Sequence, residues 1–175
     1  QLSAANKVLY KKNIEVQEKE DKLLQIQKTA SQTEEAMDKN HTSAEINSPQ
    51  KNEKFTEEEK TKLMDRFINV MVGCKEIYSY EFTVARLAEL AGSNSKTASK
   101  IIKEKTGGNF NTFLNDYRIR EACRRINCHD YKNYTIEALA NYVGFKSRTT
   151  FITAFKHFTG LTPSEYICIA KKQNA

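Results

Sequence analysis

Apolar residues recur every seven positions at the start of this chain, at Leu2, Leu9, Val16, Leu23, Ala30 and Met37. Ala5 and Ile26 fall at the accompanying d-type positions, but Lys12 and Lys19 occupy the others, so the pattern is half of a coiled-coil seam. Residues 1–47 contain neither Gly nor Pro, which permits one long helix. Two readings fit residues 1–37: a weakly or conditionally paired dimerising helix, and a single solvated helix or partly disordered linker. Residues 38–54 include Pro49 and have Ile46 as their only large aliphatic residue. They cannot bury enough surface to order themselves, and are read as a flexible polar linker.

The pattern changes at Thr56. Glu57, Glu58 and Glu59 follow it, where carboxylates face the positive end of a helix dipole, and Leu63, Phe67, Val70 and Met71 then line one helical face. Tyr78, Tyr80 and Phe82 mark the exit of that helix. From here short helical runs alternate with short polar breaks and almost no β pattern, which predicts an all-α domain over residues 55–170 and a tail at 171–175.

Within that domain one arrangement occurs twice. Residues 83–107 predict a short helix capped by Thr83 with Val84, Leu87, Ala88 and Ala91 apolar. Gly92 stops it, and a second helix from Ser95 carries Ala98, Ile101 and Ile102 inward until Gly107. Residues 135–160 repeat this. Thr135 caps a helix with Ile136, Leu139, Ala140 and Val143 inward, Gly144 breaks it, and a helix from Ser147 carries Phe151, Ala154, Phe155 and Phe158 inward until Gly160. Each pair is a helix-turn-helix, whose second helix keeps one face free to enter a major groove. Between the pairs runs the longest helix of the domain, residues 109–126, with Phe110, Phe113, Leu114, Tyr117, Ala122 and Ile126 at core spacing. A helix of that length spans about 27 Å, enough to hold two groove-reading helices near the ~34 Å repeat of duplex DNA.

Charge strengthens this reading because of where it lies. The whole chain has 28 Lys and Arg against 22 Asp and Glu. Residues 1–54 hold nine of each sign, residues 55–91 five basic against seven acidic, and residues 92–175 fourteen basic against six acidic, a local net charge of plus eight. A cationic excess confined to one segment is the footprint that phosphates require.

Other chemistries find little support. Cys74, Cys123, Cys128 and Cys168 form no CxxC pair and no ligand spacing with His41, His129 or His157, so no metal site and no cofactor is expected and the cysteines are read as reduced thiols. No Gly-rich phosphate loop follows a strand, no GxSxG occurs, and the carboxylates sit on helix surfaces, so the chain is not read as an enzyme. No run approaches the ~20 apolar residues of a membrane span. No small-molecule site is evident. The chain opens on Gln1 instead of Met, and is expected to be part of something longer.

The run ALANYVGFKSRTTFITAFKHFTGLTPSEY, preceded by YRIREACRRI, resembles the signature of the AraC/XylS family of bacterial transcription regulators, and ELAGSNSKTASKIIKEKTGGNF resembles its first unit. The resemblance covers residues 57–168. It implies a seven-helix domain whose third and sixth helices read bases. At the base-facing places stand Lys96, Ser99 and Lys100 in the third helix, and Arg148, Thr149, Ile152 and Thr153 in the sixth. Ile167 stands where the family often has Arg, and small or flexible residues replace a large aromatic often found early in the first reading helix.

Arg148 has the sharpest expected role, since a guanidinium in the first turn of a groove helix can bond both acceptors of guanine; a phosphate contact is the plainer alternative. Lys96 and Lys100 lie on the face opposite Ile101 and Ile102, where phosphate binding and base reading are both open. Thr149 and Thr153 can meet a thymine methyl or donate to a phosphate. Lys146, Ser147, Lys156, Ser95 and the helix starts at Thr83 and Thr135 are expected to position the duplex through phosphates. Arg118, Arg124 and Arg125 stay open between DNA and the carboxylates of Asp116, Glu121 or Glu137.

The expected function is sequence-specific binding of double-stranded DNA in two successive major grooves, with regulation of transcription as its consequence and RNA polymerase a further contact. A helical protein-interaction module and a non-specific architectural DNA binder are the alternatives. The resemblance also implies relatives in which a sensor and a membrane span precede a coiled helix and a cytoplasmic domain. A homodimer through residues 1–37, attached to an inner-membrane sensor, is accordingly expected.

Overall fold

The computed structural model describes residues 4–34, 55–128 and 135–173. The linker at 38–54, Leu2, Met37, His41 and His129 lie outside the described residues. The elements are α1 (Ala4–Glu34), α2 (Glu57–Gly73), a 3-10 turn (Lys75–Tyr78), α3 (Val84–Leu90), α4 (Ser95–Thr106), α5 (Phe110–Asn127), α6 (Ile136–Tyr142), α7 (Arg148–Thr159) and α8 (Pro163–Gln173). No strand occurs among the described residues, and α2 to α8 are the seven helices that the resemblance implied. The last helix runs through Gln173, so its final turn takes in the start of the segment read as a tail. Gln1–Tyr10 and Phe55–Ala175 form one compact unit and Lys11–Lys54 another. In the second unit, the heptad residues Val16, Leu23 and Ile26 of α1 are each more than half exposed.

Side-chain caps start most of the helices of the domain. Thr56 and Glu59 form a reciprocal capping box: the Glu59 amide donates to Thr56 Oγ1 at 3.2 Å, and the Thr56 amide to Glu59 Oε2 at 2.8 Å. The α3 and α6 caps are Thr83 and Thr135, accepting from the Arg86 and Ala138 amides at 3.3 and 3.1 Å. For α4 the capping residue is Asn94, one position before the start read from sequence. Its Oδ1 accepts from the Thr97 amide at 2.8 Å and leaves Ser95 as the first helical residue. Thr162 and Glu165 build a second capping box around Pro163, which sits at the first helical position, where its missing N–H costs nothing. The LTPSEY run is therefore a helix start with its core residue, Tyr166, attached.

The domain has two halves joined by α5. One core gathers Leu63, Met64, Phe67 and Met71 of α2, Ile77, Leu87 and Ala88, Ala98, Ile101 and Ile102 of α4, and Phe113 and Leu114 at the start of α5. Further along α5, Ile119, Ala122, Cys123 and Ile126 are buried, as are Leu139, Ala140 and Val143, Phe151 and Phe155 of α7, and Tyr166 and Ile169 of α8. Helix α5 touches α2, α4 and the 3-10 turn on one side of the domain and α7 and α8 on the other.

Arg118 locks this junction. It is buried at 6% exposure, its Nε donates to the Ile77 carbonyl at 2.7 Å, and its Nη2 donates to the Ser79 carbonyl at 2.7 Å. Its guanidinium also lies 5.8 Å from the Phe145 ring centre, in the turn of the second helix-turn-helix. Burial pushes its pKa down to about 10, which leaves it protonated at neutral pH. Its partners are two backbone carbonyls and an aromatic ring, and none of the carboxylates considered from sequence. Arg124 and Arg125 do find a carboxylate: both pair with Glu121, at 2.7 and 2.8 Å.

Candidate nucleic-acid interface

Helices α4 and α7 each turn an apolar face inward and a polar face outward. In α4, Ala98, Ile101 and Ile102 are buried while Lys96, Ser99 and Lys100 are exposed. Lys103, also exposed, extends that outer row by one more turn; the i, i+4, i+7 spacing of Lys96, Lys100 and Lys103 was available in the sequence and went unread. In α7, Phe151 and Phe155 are buried, Arg148, Thr149 and Thr153 are exposed, and Ile152 is half-buried at the edge between them. Both helices end on a left-handed glycine, Gly107 at φ 72° and Gly160 at φ 74°, so neither can run on.

Details of these helices narrow what the side chains offer. Thr153 donates its hydroxyl to the Thr149 carbonyl at 3.0 Å, so donation to a phosphate competes with an existing bond. Ser147 holds the N-cap position of α7 without a capping bond from its side chain. Lys146 and Lys156 are exposed at opposite ends of the same helix. The hydroxyls of Thr83 and Thr135 are used as caps, which leaves the first amides of α3 and α6 as the groups able to meet an anion.

The cations divide into two populations. Arg86 is held by Glu76 at 2.8 and 2.9 Å and by Glu89 at 3.0 Å, Lys60 by Glu57 and Glu104, and Lys105 by Glu57 at 3.0 Å. These arrays tie α3 to the 3-10 turn, and α2 to α4. Among the described residues, no carboxylate forms an ion pair with Lys96, Lys100, Lys103, Lys146 or Arg148. Unpaired positive charge therefore stands on the outer faces of α4 and α7 and at the turn before α7, as it also does at Lys62, Arg66 and Lys75.

No group of three or more His, Cys, Asp and Glu residues that could hold a metal occurs among the described residues, and no described helix is long and apolar enough to cross a membrane. Burial pushes the Cys123 thiol up to about 12, a thiol held in its neutral, unreactive form.

Two helix-turn-helix units on one connecting helix, each with a polar outer face and exposed cations on its second helix, form a domain of the DNA-binding type. Residues 87–167 match the family model of a helix-turn-helix domain, and they lie within the stretch 57–168 on which the likeness to the AraC/XylS regulators was noted from the sequence. The chain is 33% identical over 105 residues to an uncharacterised helix-turn-helix-type transcriptional regulator of Staphylococcus aureus (strain COL), a match that covers 59% of this chain and 14% of that protein. It is 31% identical over 108 residues to the transcriptional regulatory protein HptR of Staphylococcus aureus, covering 61% of this chain and 41% of that protein. The chain thus spans less than half the length of these relatives. Its fold is that of a DNA-binding transcriptional dual regulator from Escherichia coli K-12, with a TM-score of 0.52 and 23% identity over 61% of this chain and 93% of the other.

Proposed function

We propose that residues 55–170 bind promoter DNA sequence-specifically and regulate transcription, with α4 and α7 entering successive major grooves. The observation that carries this is the separation of cations: ion pairs consume Arg86, Lys60 and Lys105, whereas Lys96, Lys100, Lys103 and Arg148 face outward on the two second helices. Lys96, Ser99 and Lys100 read or flank the first half-site, and Arg148, Thr149, Ile152 and Thr153 read the second. Ser95, Lys146, Ser147, Lys156 and the amides after Thr83 and Thr135 fix the register on phosphates.

Selection of bound duplexes from a random pool, followed by titration over a salt series, tests the proposal. A specific reader shows a steep salt slope with a preference of ~10³ or more over random sequence. Retention of the slope without preference identifies an architectural binder, and loss of both identifies an interaction module. On the selected duplex, Arg148→Ala is expected to remove about 2 kcal/mol of discrimination at one base pair and leave the others as they were. Lys146→Ala is expected to weaken all duplexes alike and to lower the salt slope by about one. If Arg148→Ala instead weakens all sequences equally, Arg148 is a phosphate ligand.

The exposed heptad residues of α1 support homodimerisation, and RNA polymerase is the partner a promoter-bound domain would meet. Sedimentation equilibrium of the full chain is expected to give a dimer that Leu23→Lys converts to a monomer; a monomeric mass for the unsubstituted chain would remove the dimer, and a dimeric variant would take its interface away from Leu23.

A further inference from the structure

The second helix-turn-helix holds a contact that DNA reading does not require. Tyr10, near the start of α1, is 1% exposed, with its ring 4.6 Å from that of Tyr166 and its hydroxyl donating to Asn127 Oδ1 at 2.9 Å. Asn127 closes α5, and its Nδ2 in turn donates to the Tyr166 hydroxyl at 3.4 Å. Leu9 covers Gly160 so closely that a Cβ there would come within 2.5 Å of Leu9 Cδ2. Asn6 Nδ2 donates at 3.5 Å to Glu165 Oε1, while the other oxygen of that carboxylate caps α8. Three side chains within five residues of α1 therefore meet the end of α5, the stop of α7 and the first turn of α8.

Those contacts lead to the inner face of α7. Tyr166 stands edge-on to Phe155 at 5.4 Å, Phe155 to Phe151 at 5.6 Å, and Phe151 to Phe145 at 5.3 Å, beside the buried Arg118. Phe151 and Phe155 are one turn apart on α7, and the side of the helix they occupy is the one opposite the exposed Thr149 and Thr153, while Arg148 is exposed at the open first turn. Residues 6, 9 and 10 thus back α7 from within and leave its outer residues uncovered. A close-packed interior passes on a displacement instead of absorbing it, so loss of the Tyr10 ring loosens the surface on which α7 rests.

We infer that Asn6, Leu9 and Tyr10 brace α7 in its DNA-reading position, so that displacement of the start of α1 weakens reading by the second helix-turn-helix and spares the first. The inference rests on the DNA-binding reading given above. It makes the beginning of α1 a point at which an event outside the domain can change which half-site is read.

The test compares the full chain with its Tyr10→Ala, Tyr10→Phe and Lys7→Ala variants, by hydrogen exchange and by binding to the selected duplex with one half-site scrambled at a time. Tyr10→Ala is expected to speed amide exchange in residues 148–159 while 95–106 stay protected, and to lower affinity for the intact duplex about tenfold. That loss vanishes on duplexes whose second half-site is already scrambled. Tyr10→Phe keeps the ring, loses the bond to Asn127 and falls between, and Lys7→Ala, on an exposed position of the same helix, changes nothing. Unchanged exchange in α7, or an equal rise in α4 and α7, overturns the brace. Should the unsubstituted chain show no preference among duplexes, the DNA-binding reading fails, and the exchange measurement still decides whether the brace exists.

Discussion

Gly144→Ala is expected to cost the domain about 4 kcal/mol and lower its melting temperature by roughly 15 °C. Gly144 has φ 90°, where an L side chain is strained by about 1–3 kcal/mol whatever space surrounds it. There is also no space. A Cβ built there lies 2.6 Å from the Tyr78 carbonyl oxygen, 2.8 Å from its carbon and 3.0 Å from Arg118 Nε. Two of these atoms are backbone and the third is held by the Ile77 carbonyl, so relief requires the turn of the second helix-turn-helix to part from the first half. Gly107→Ala provides the comparison, since φ there is 72° but nothing lies within 4 Å of the added Cβ, and about 1 kcal/mol is expected. Thermal denaturation of the two variants checks the difference; similar melting temperatures would mean that the halves are not held at Gly144.

Arg118→Met, which preserves much of the side-chain volume, is expected to cost about 3 kcal/mol. The loss comes from two buried carbonyls, those of Ile77 and Ser79, deprived of a charged donor that reaches each at 2.7 Å. Because Arg118 joins the middle of α5 to the segment after α2 and to Phe145, the variant should also loosen the spacing between α4 and α7. On the selected duplex this reads as weaker binding at the full site with little change at either half-site alone. A variant as stable as the parent, yet impaired on every duplex, would return Arg118 to the DNA ligands.

What was legible in the sequence shares one physical origin. Thr56, Thr83 and Thr135 cap amides three residues onward, Gly107 and Gly160 supply the left-handed stop, and the apolar rows of α2, α4 and α7 repeat with the helical period. Each is decided within about one helical turn. The start of α4 at Ser95 was read on the same scale. Arg118 was unreadable because a guanidinium among Tyr117, Ile119 and Arg120 looks the same from the sequence whether it faces solvent or a carbonyl 41 residues earlier. Ile119 and Cys123 were missed as core for a related reason: α5 is buried against both halves, so its apolar positions cover more than one stripe.

The sequence by itself determined α2 to α7, their order, the repeated pair of short and long helices, and the outward Lys96, Lys100 and Arg148. These follow from bonds and periodicities between near neighbours. Tertiary structure alone decided which of the remaining charges are neutralised, Lys60 by Glu104 and Lys105 by Glu57, and which pass inside, as Arg118 does. It alone set Tyr10 against Asn127, across 117 residues. Partners so far apart are chosen by which surfaces the packed core leaves adjacent, and no period within the chain encodes that choice.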